Sequence, residues 1–147
     1  MQLGSGKNSD SESERLEFWN QFNEVLVERG KPFNIRKATK DQWYNIAIGV
    51  SRAQVALELV NKDNYIRVGL YINDDKELFD RLYAQKEEIE EQIGFSLDWQ
   101  RKDTTKASRI SMQIPGLNFA DHSNYNELMN EMIDKAIIIV NVFKKYV

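Results

Sequence analysis

The sequence has no cysteine, one histidine and two prolines among its 147 residues. Without cysteine, disulfides, thiolate metal sites and cysteine nucleophiles are excluded, which is typical of proteins in a reducing compartment. Charge of one sign is not in excess either, because 20 basic and 23 acidic residues are well mixed and give a formal net charge of −3. This balance disfavours attraction to nucleic acid by bulk positive charge.

Long apolar runs are also missing. No stretch approaches the length of a bilayer span, and the first residues lack the basic and apolar regions of a signal peptide. We therefore expect a cytoplasmic protein with no membrane contact. Glycine, serine and other small polar residues dominate the start, "MQLGSGKNSDSES", so we expect a flexible leader over residues 1–12. Residues 13–147 have the length and apolar content of one domain.

The spacing of apolar residues predicts three helices and five strands in the order α-β-β-β-α-β-β-α. The helices are expected from a capping box at Ser11 and Glu14 to Gly30, from about residue 73 to Gly94, and from Ser123 or Asn124 to Tyr146. The strands are expected over residues 43–50, 53–60, 65–72, 97–102 and 107–114. This pattern predicts an α+β domain whose mainly antiparallel sheet of about five strands carries its helices mostly on one face.

Two charges interrupt the apolar pattern of the hairpin "ALELVNKDNYIRVGLYI". If residues 61–64 form its loop, Glu58 lies directly opposite Arg67, and both point away from the helix-covered core. Tyr65 and Tyr71 share that face, which is shallow where Ala56 faces Gly69. In the second hairpin, with a loop over residues 103–106, Trp99 faces Ile110. Five polar residues then turn outward: Asp98, Gln100, Arg109, Ser111 and Gln113.

The order of the two hairpins in the sheet does not follow from the sequence. If they are adjacent, one surface holds a candidate binding face of seven residues: Glu58, Tyr65, Arg67, Tyr71, Asp98, Gln100 and Arg109. Three interpretations fit it: a solvated sheet face, a recognition surface in which arginines bind carboxylate or phosphate, and a contact with another domain.

No constellation for catalysis is evident. His122 has no nucleophile arrangement around it and is expected to act as a cap or surface residue. Trp19, Trp43 and Trp99 are expected in the core. Gln100 and Lys102 match the tail of a nuclease metal motif, but the acid it requires on a neighbouring strand is not evident. We therefore predict no catalytic residues, no cofactor and no metal ligands.

Several short blocks in order carry a family resemblance: "FWNQFNEVL", "RVGLYIND", "LFDRLYAQKEEIEEQIG", "LDWQRKD" and "KASRI". Together they resemble domain of unknown function 4268, a bacterial and archaeal family, over about residues 14–147. The resemblance implies an accessory domain that often follows an N-terminal half similar to restriction endonucleases. Gly69 departs from the bulkier polar residue that the resemblance leads us to expect.

Three functional hypotheses remain open from the sequence. The first is a noncatalytic accessory module of a nuclease-like protein, which assists recognition of nucleic acid or protein through the face around Arg67 and Arg109. The second is a structural domain whose open face forms a homodimer or an interdomain contact. The third is a cryptic metal-dependent nuclease.

Overall fold

The computed structural model describes the backbone of residues 3–147 and the side chains of residues 11–147. This part of the chain forms four α-helices, one short 3-10 helix and five strands. The elements are α1 (Leu3–Glu28), β1 (Trp43–Ala47), β2 (Ala53–Val60), β3 (Tyr65–Ile72), α2 (Lys76–Tyr83), α3 (Lys86–Ile93), β4 (Asp98–Gln100), β5 (Ser108–Pro115), the 3-10 helix (His122–Asn124) and α4 (Tyr125–Phe143).

The five strands form one antiparallel sheet in the order β1-β2-β3-β5-β4. The register confirms the predicted hairpin, with Glu58 opposite Arg67 and Ala56 opposite Gly69. Trp99 faces Ile110, also as predicted. Strand β3 pairs with β5, so the two hairpins are adjacent and their outward residues share one face.

The helices contact the other face, where the core lies. In α1, Trp19 and Phe22 pack against Tyr44 with ring centroids 5.1 and 5.0 Å apart. Helix α2 places Phe79 against Trp99, and α4 crosses β2, β3 and β5. The largest fully buried side chains include Trp19, Phe18, Phe22 and Phe143, so aromatic packing between α1, α4 and the sheet supplies much of the apolar burial.

The prediction of three helices is wrong by one, because the expected helix before Gly94 is interrupted. At the break, the N–H of Gln85 bonds to the carbonyl of Leu82, a tighter i−3 bond, and α3 begins at Lys86. Gly94, in the left-handed conformation, ends α3 as predicted.

The expected start of α1 is also wrong. The helix begins at Leu3, and its backbone continues through Ser11, which is therefore not an N-cap residue. Residues 1 and 2 of the predicted leader lie outside the described residues, and its remaining residues occupy the first turns of α1; that it is flexible stays a prediction. None of the described helices has both the length and the apolar character needed to cross a membrane.

Glu90 on α3 fixes the start of β4. Its carboxylate accepts hydrogen bonds from the backbone N–H of Leu97 at 2.8 Å and from the indole N–H of Trp99 at 2.9 Å. Burial alone would raise the pKa of Glu90, but these two hydrogen bonds and the positive charge of Lys86 together outweigh it and leave the pKa lowered.

A carboxyl whose pKa is lowered by folding contributes stability above its unfolded pKa and loses it as the pH falls through the folded pKa. We expect acidification below about pH 4.5, the ordinary glutamate range, to shift Trp99 fluorescence as its acceptor becomes protonated. The Glu90→Gln variant is expected to lack this component of the titration. An unchanged titration in that variant would contradict the assignment.

Candidate functional site on the open face of the sheet

We call the face of the sheet opposite the helices the open face, and its residues follow from the strand register. Its members are Trp43, Asn45 and Ala47 of β1; Gln54, Ala56 and Glu58 of β2; Tyr65, Arg67, Gly69 and Tyr71 of β3; Arg109, Ser111 and Gln113 of β5; and Asp98 and Gln100 of β4. All seven residues of the predicted binding face are among them.

Glu58 is the electrostatic centre of the open face. It is 7% exposed, yet it carries a carboxylate in the middle of a central strand. Arg67, directly opposite, donates a hydrogen bond to this carboxylate. The guanidinium of Arg109 lies 4.0 Å from the same oxygen. Two half-buried cations therefore share one buried anion, which leaves an excess of one positive charge.

Aromatic rings hold both arginines in place. Arg67 lies 5.5 Å from the ring centroid of Tyr65 and donates to its hydroxyl at 2.8 Å. Arg109 lies 5.9 Å from the ring centroids of both Trp43 and Tyr71. These cation–π contacts and the shared glutamate fix the guanidinium positions, so the centre of the face is preorganised.

Trp43 corrects the prediction that all three tryptophans lie in the core. Trp19 is fully buried and Trp99 packs on the helix side, but Trp43 is 38% exposed on the open face. Alternation along β1 was the available signal, because Trp43 shares a face with polar Asn45, whereas Tyr44 shares the other face with apolar Ile46. An exposed tryptophan next to two arginines is the part of the site that sequence reasoning missed.

Asp98 and Gln100 lie toward the β4 edge of the open face. Gln100 is opposite Arg109 in the ladder, but its side-chain amide donates to the carboxylate of Asp98 at 2.7 Å. This bond makes the two residues a local pair beside the arginine cluster. Of the seven predicted residues, the structure therefore groups four around Glu58, which are Tyr65, Arg67, Tyr71 and Arg109, and places two at the edge.

Gly69 forms the floor of the open face, where β3 and β5 approach closely. A Cβ at this position would lie 2.4 Å from the carbonyl oxygen of Ile110 and 2.5 Å from the Cα of Ser111. The backbone therefore leaves no room for the bulkier residue that the resemblance suggested. The missing side chain creates the shallow depression between Glu58, Tyr71 and Arg109.

A groove of about 680 Å³ adjoins the depression and runs under the loop that precedes β1. Trp43, Asn45, Gln54 and Tyr71 line it from the sheet. Arg36, Lys37 and Asp41 line it from the loop, so its rim carries two cations and one anion. The groove thus combines exposed aromatic surface, amide groups and positive charge, a set that suits a flat anionic ligand.

Comparison with known proteins places the chain in a family. No curated protein matches it. The solved structure of YbjN from E. coli is similar at 13% identity and a TM-score of 0.39, covering 85% of this chain and 92% of that one; a likeness this distant carries no functional argument. The model of the family described as Domain of unknown function (DUF4268) matches residues 14–147. The chain therefore belongs to the DUF4268 family.

Proposed function

We propose that this domain is a noncatalytic accessory module that binds single-stranded nucleic acid in the groove beside Trp43. The observation that carries the proposal is the Trp43 ring, which is exposed on a rigid strand and bordered by arginine and lysine side chains. An exposed aromatic ring offers a stacking platform for an unpaired base, and flanking cations contact its phosphates.

The cations of the site fall into two groups, those that position aromatic rings and those that can contact phosphates. Arg67 and Arg109 are committed to Glu58 and to aromatic rings. Arg67 contacts Tyr65, whereas Arg109 contacts Trp43 and Tyr71 and so has the main role in positioning these two rings. Arg36 and Lys37 are exposed at the groove rim and remain available for phosphate contacts. This changes the initial hypothesis, in which the two sheet arginines bind the partner directly.

The net charge of −3 limits the expected strength of binding. Few cations face the groove, so only about two phosphates are neutralised and the affinity falls gently with salt. A weak, local nucleic-acid site is what an accessory module requires when another domain supplies the chemistry. The partner we propose is the nuclease-like domain that the family resemblance implies.

Binding is best tested with a fluorescein-labelled single-stranded oligonucleotide and fluorescence anisotropy. We expect Trp43→Ala to weaken binding by about 1–3 kcal/mol through loss of base stacking. Arg36→Ala and Lys37→Ala are each expected to reduce the magnitude of the slope of log K against log salt by about 1, because each removes one phosphate contact. Neither cation lies in the core, so circular dichroism of these variants should match the parent.

Lys144→Ala is the matched control, because Lys144 is an exposed lysine beyond the end of α4. Its binding should equal that of the parent chain. Equal affinities for the parent, Trp43→Ala and Arg36→Ala would remove the proposal. A mass near twice 17.2 kDa in light scattering, lost in Trp43→Ala, would instead assign the open face to a homodimer.

A further inference from the structure

A second cluster lies far from the open face, between α1 and the 3-10 helix. Asp121 caps the 3-10 helix, so His122 does not serve as the predicted cap. Instead its imidazole contacts Glu14 through Nε2 at 2.9 Å and Glu17 through Nδ1 at 3.1 Å. Glu14 and Glu17 are three residues apart on α1 and therefore project from the same side of the helix.

The three side chains have the composition of a metal site. One ligand atom from each of Glu14, Glu17 and His122 can be chosen so that all lie within 4.8 Å of one another. Two carboxylates and one imidazole match the nitrogen and oxygen ligands of Zn²⁺, which leaves a fourth position for water in such three-ligand sites. Glu17 is 52% exposed, so its side chain has room to turn toward a common ion if it gives up the hydrogen bond that it accepts from Gln21 at 3.2 Å.

Tyr125 provides an independent observation at the same place. Its ring stacks on His122 with centroids 4.2 Å apart and an interplanar angle of 14°. The residue is 2% exposed, and its hydroxyl has no hydrogen-bond partner among the described residues.

A buried hydroxyl without a partner costs about 1–3 kcal/mol, so an acceptor placed at this hydroxyl on binding would be favourable. A metal-bound carboxylate or water would accept its hydrogen bond, as the groups around metal ligands commonly do. We infer that Glu14, Glu17 and His122 bind a divalent transition-metal ion of the zinc type, with Tyr125 as an outer hydrogen-bond donor. The ion would join α1 to the 3-10 helix that precedes α4.

Titration of the tag-free chain with zinc chloride tests the inference, because His122 is the chain's single histidine. We expect one equivalent to bind, to shift the imidazole NMR signals of His122 and to raise the melting temperature. Glu14→Gln and Glu17→Gln should each weaken zinc binding at least about tenfold. Glu24→Gln, an exposed acid on the same helix, should bind zinc as the parent does.

The Tyr125→Phe variant distinguishes a metal site from a cluster that is held by ion pairs alone. It keeps the ring that stacks on His122 and removes the unpaired hydroxyl, so we expect unchanged or higher stability without metal. Zinc affinity should nevertheless fall about tenfold. Unshifted His122 signals, or equal zinc affinity in the parent and Glu14→Gln, would show that the cluster is only a histidine–carboxylate ion pair and would overturn the inference.

Discussion

Replacing Glu58 by glutamine is expected to lower the free energy of unfolding by about 3 kcal/mol, the range seen when one partner of a buried ion pair is removed. The carboxylate is 7% exposed and serves both Arg67 and Arg109. Glutamine preserves the shape but removes the charge, so two half-buried guanidinium groups lose their counterion. Urea unfolding followed by circular dichroism measures the change.

Asp98→Asn is the matched control for this variant. Asp98 also carries a carboxylate on the open face, but it is exposed and bonds only to Gln100 in the described structure. Its replacement should change stability by no more than about 0.5 kcal/mol. Adding Arg67→Gln to Glu58→Gln should recover part of the loss, because one unpaired charge is removed. Equal costs for Glu58→Gln and Asp98→Asn would show that Glu58 is not the centre of a buried network.

Gly69→Ala is expected to cost about 3 kcal/mol or more, the upper range for forcing an extra group into a packed core. Its Cβ would lie 2.4 Å from a backbone carbonyl oxygen and 2.5 Å from a backbone Cα, and backbone atoms cannot rotate away. Strands β3 and β5 must separate to admit the methyl group. This would disturb the contact of Arg109 with Tyr71, because these two residues face each other across the same ladder.

Gly49→Ala is the control that distinguishes the cost of steric overlap from the cost of an unfavourable backbone conformation. Gly49 has a φ of +92°, and a Cβ added there would meet no atom within 4 Å. Alanine at this position therefore costs only the conformational penalty of about 1–2 kcal/mol. Thermal unfolding of both variants gives the comparison. If Gly69→Ala were no less stable than Gly49→Ala, the close approach of β3 and β5 would not constrain the floor of the open face.

The hairpin of β2 and β3 was predictable because its information is local. A four-residue loop and clean alternation fix which residues are opposite, and Glu58 then has to face Arg67. The position of β5 beside β3 was not predictable, because the sequence of neither strand indicates which distant strand it pairs with. The break between α2 and α3 was missed because "LYAQKEE" contains neither glycine nor proline.

Two functional features were missed for different reasons. Trp43 was assigned to the core from its apolar character, although alternation places it on the same face as polar Asn45 and opposite to apolar Ile46. The contact of His122 with Glu14 joins residues 108 positions apart, so no local spacing indicates it. Alternation within a short strand is thus recoverable from sequence, whereas a cluster assembled by packing is not.

The most direct test of the account is an NMR titration of the chain with the single-stranded oligonucleotide, read at the tryptophan indole signals. Trp43 borders the groove, whereas the indole N–H of Trp99 is bonded to Glu90 on the helix side. We predict that the Trp43 indole signal and the amide signals of Asn45 and Gln54 shift while the Trp99 indole signal stays in place. Shifts confined to the helix side, or none at saturating oligonucleotide, would contradict a binding site on the open face.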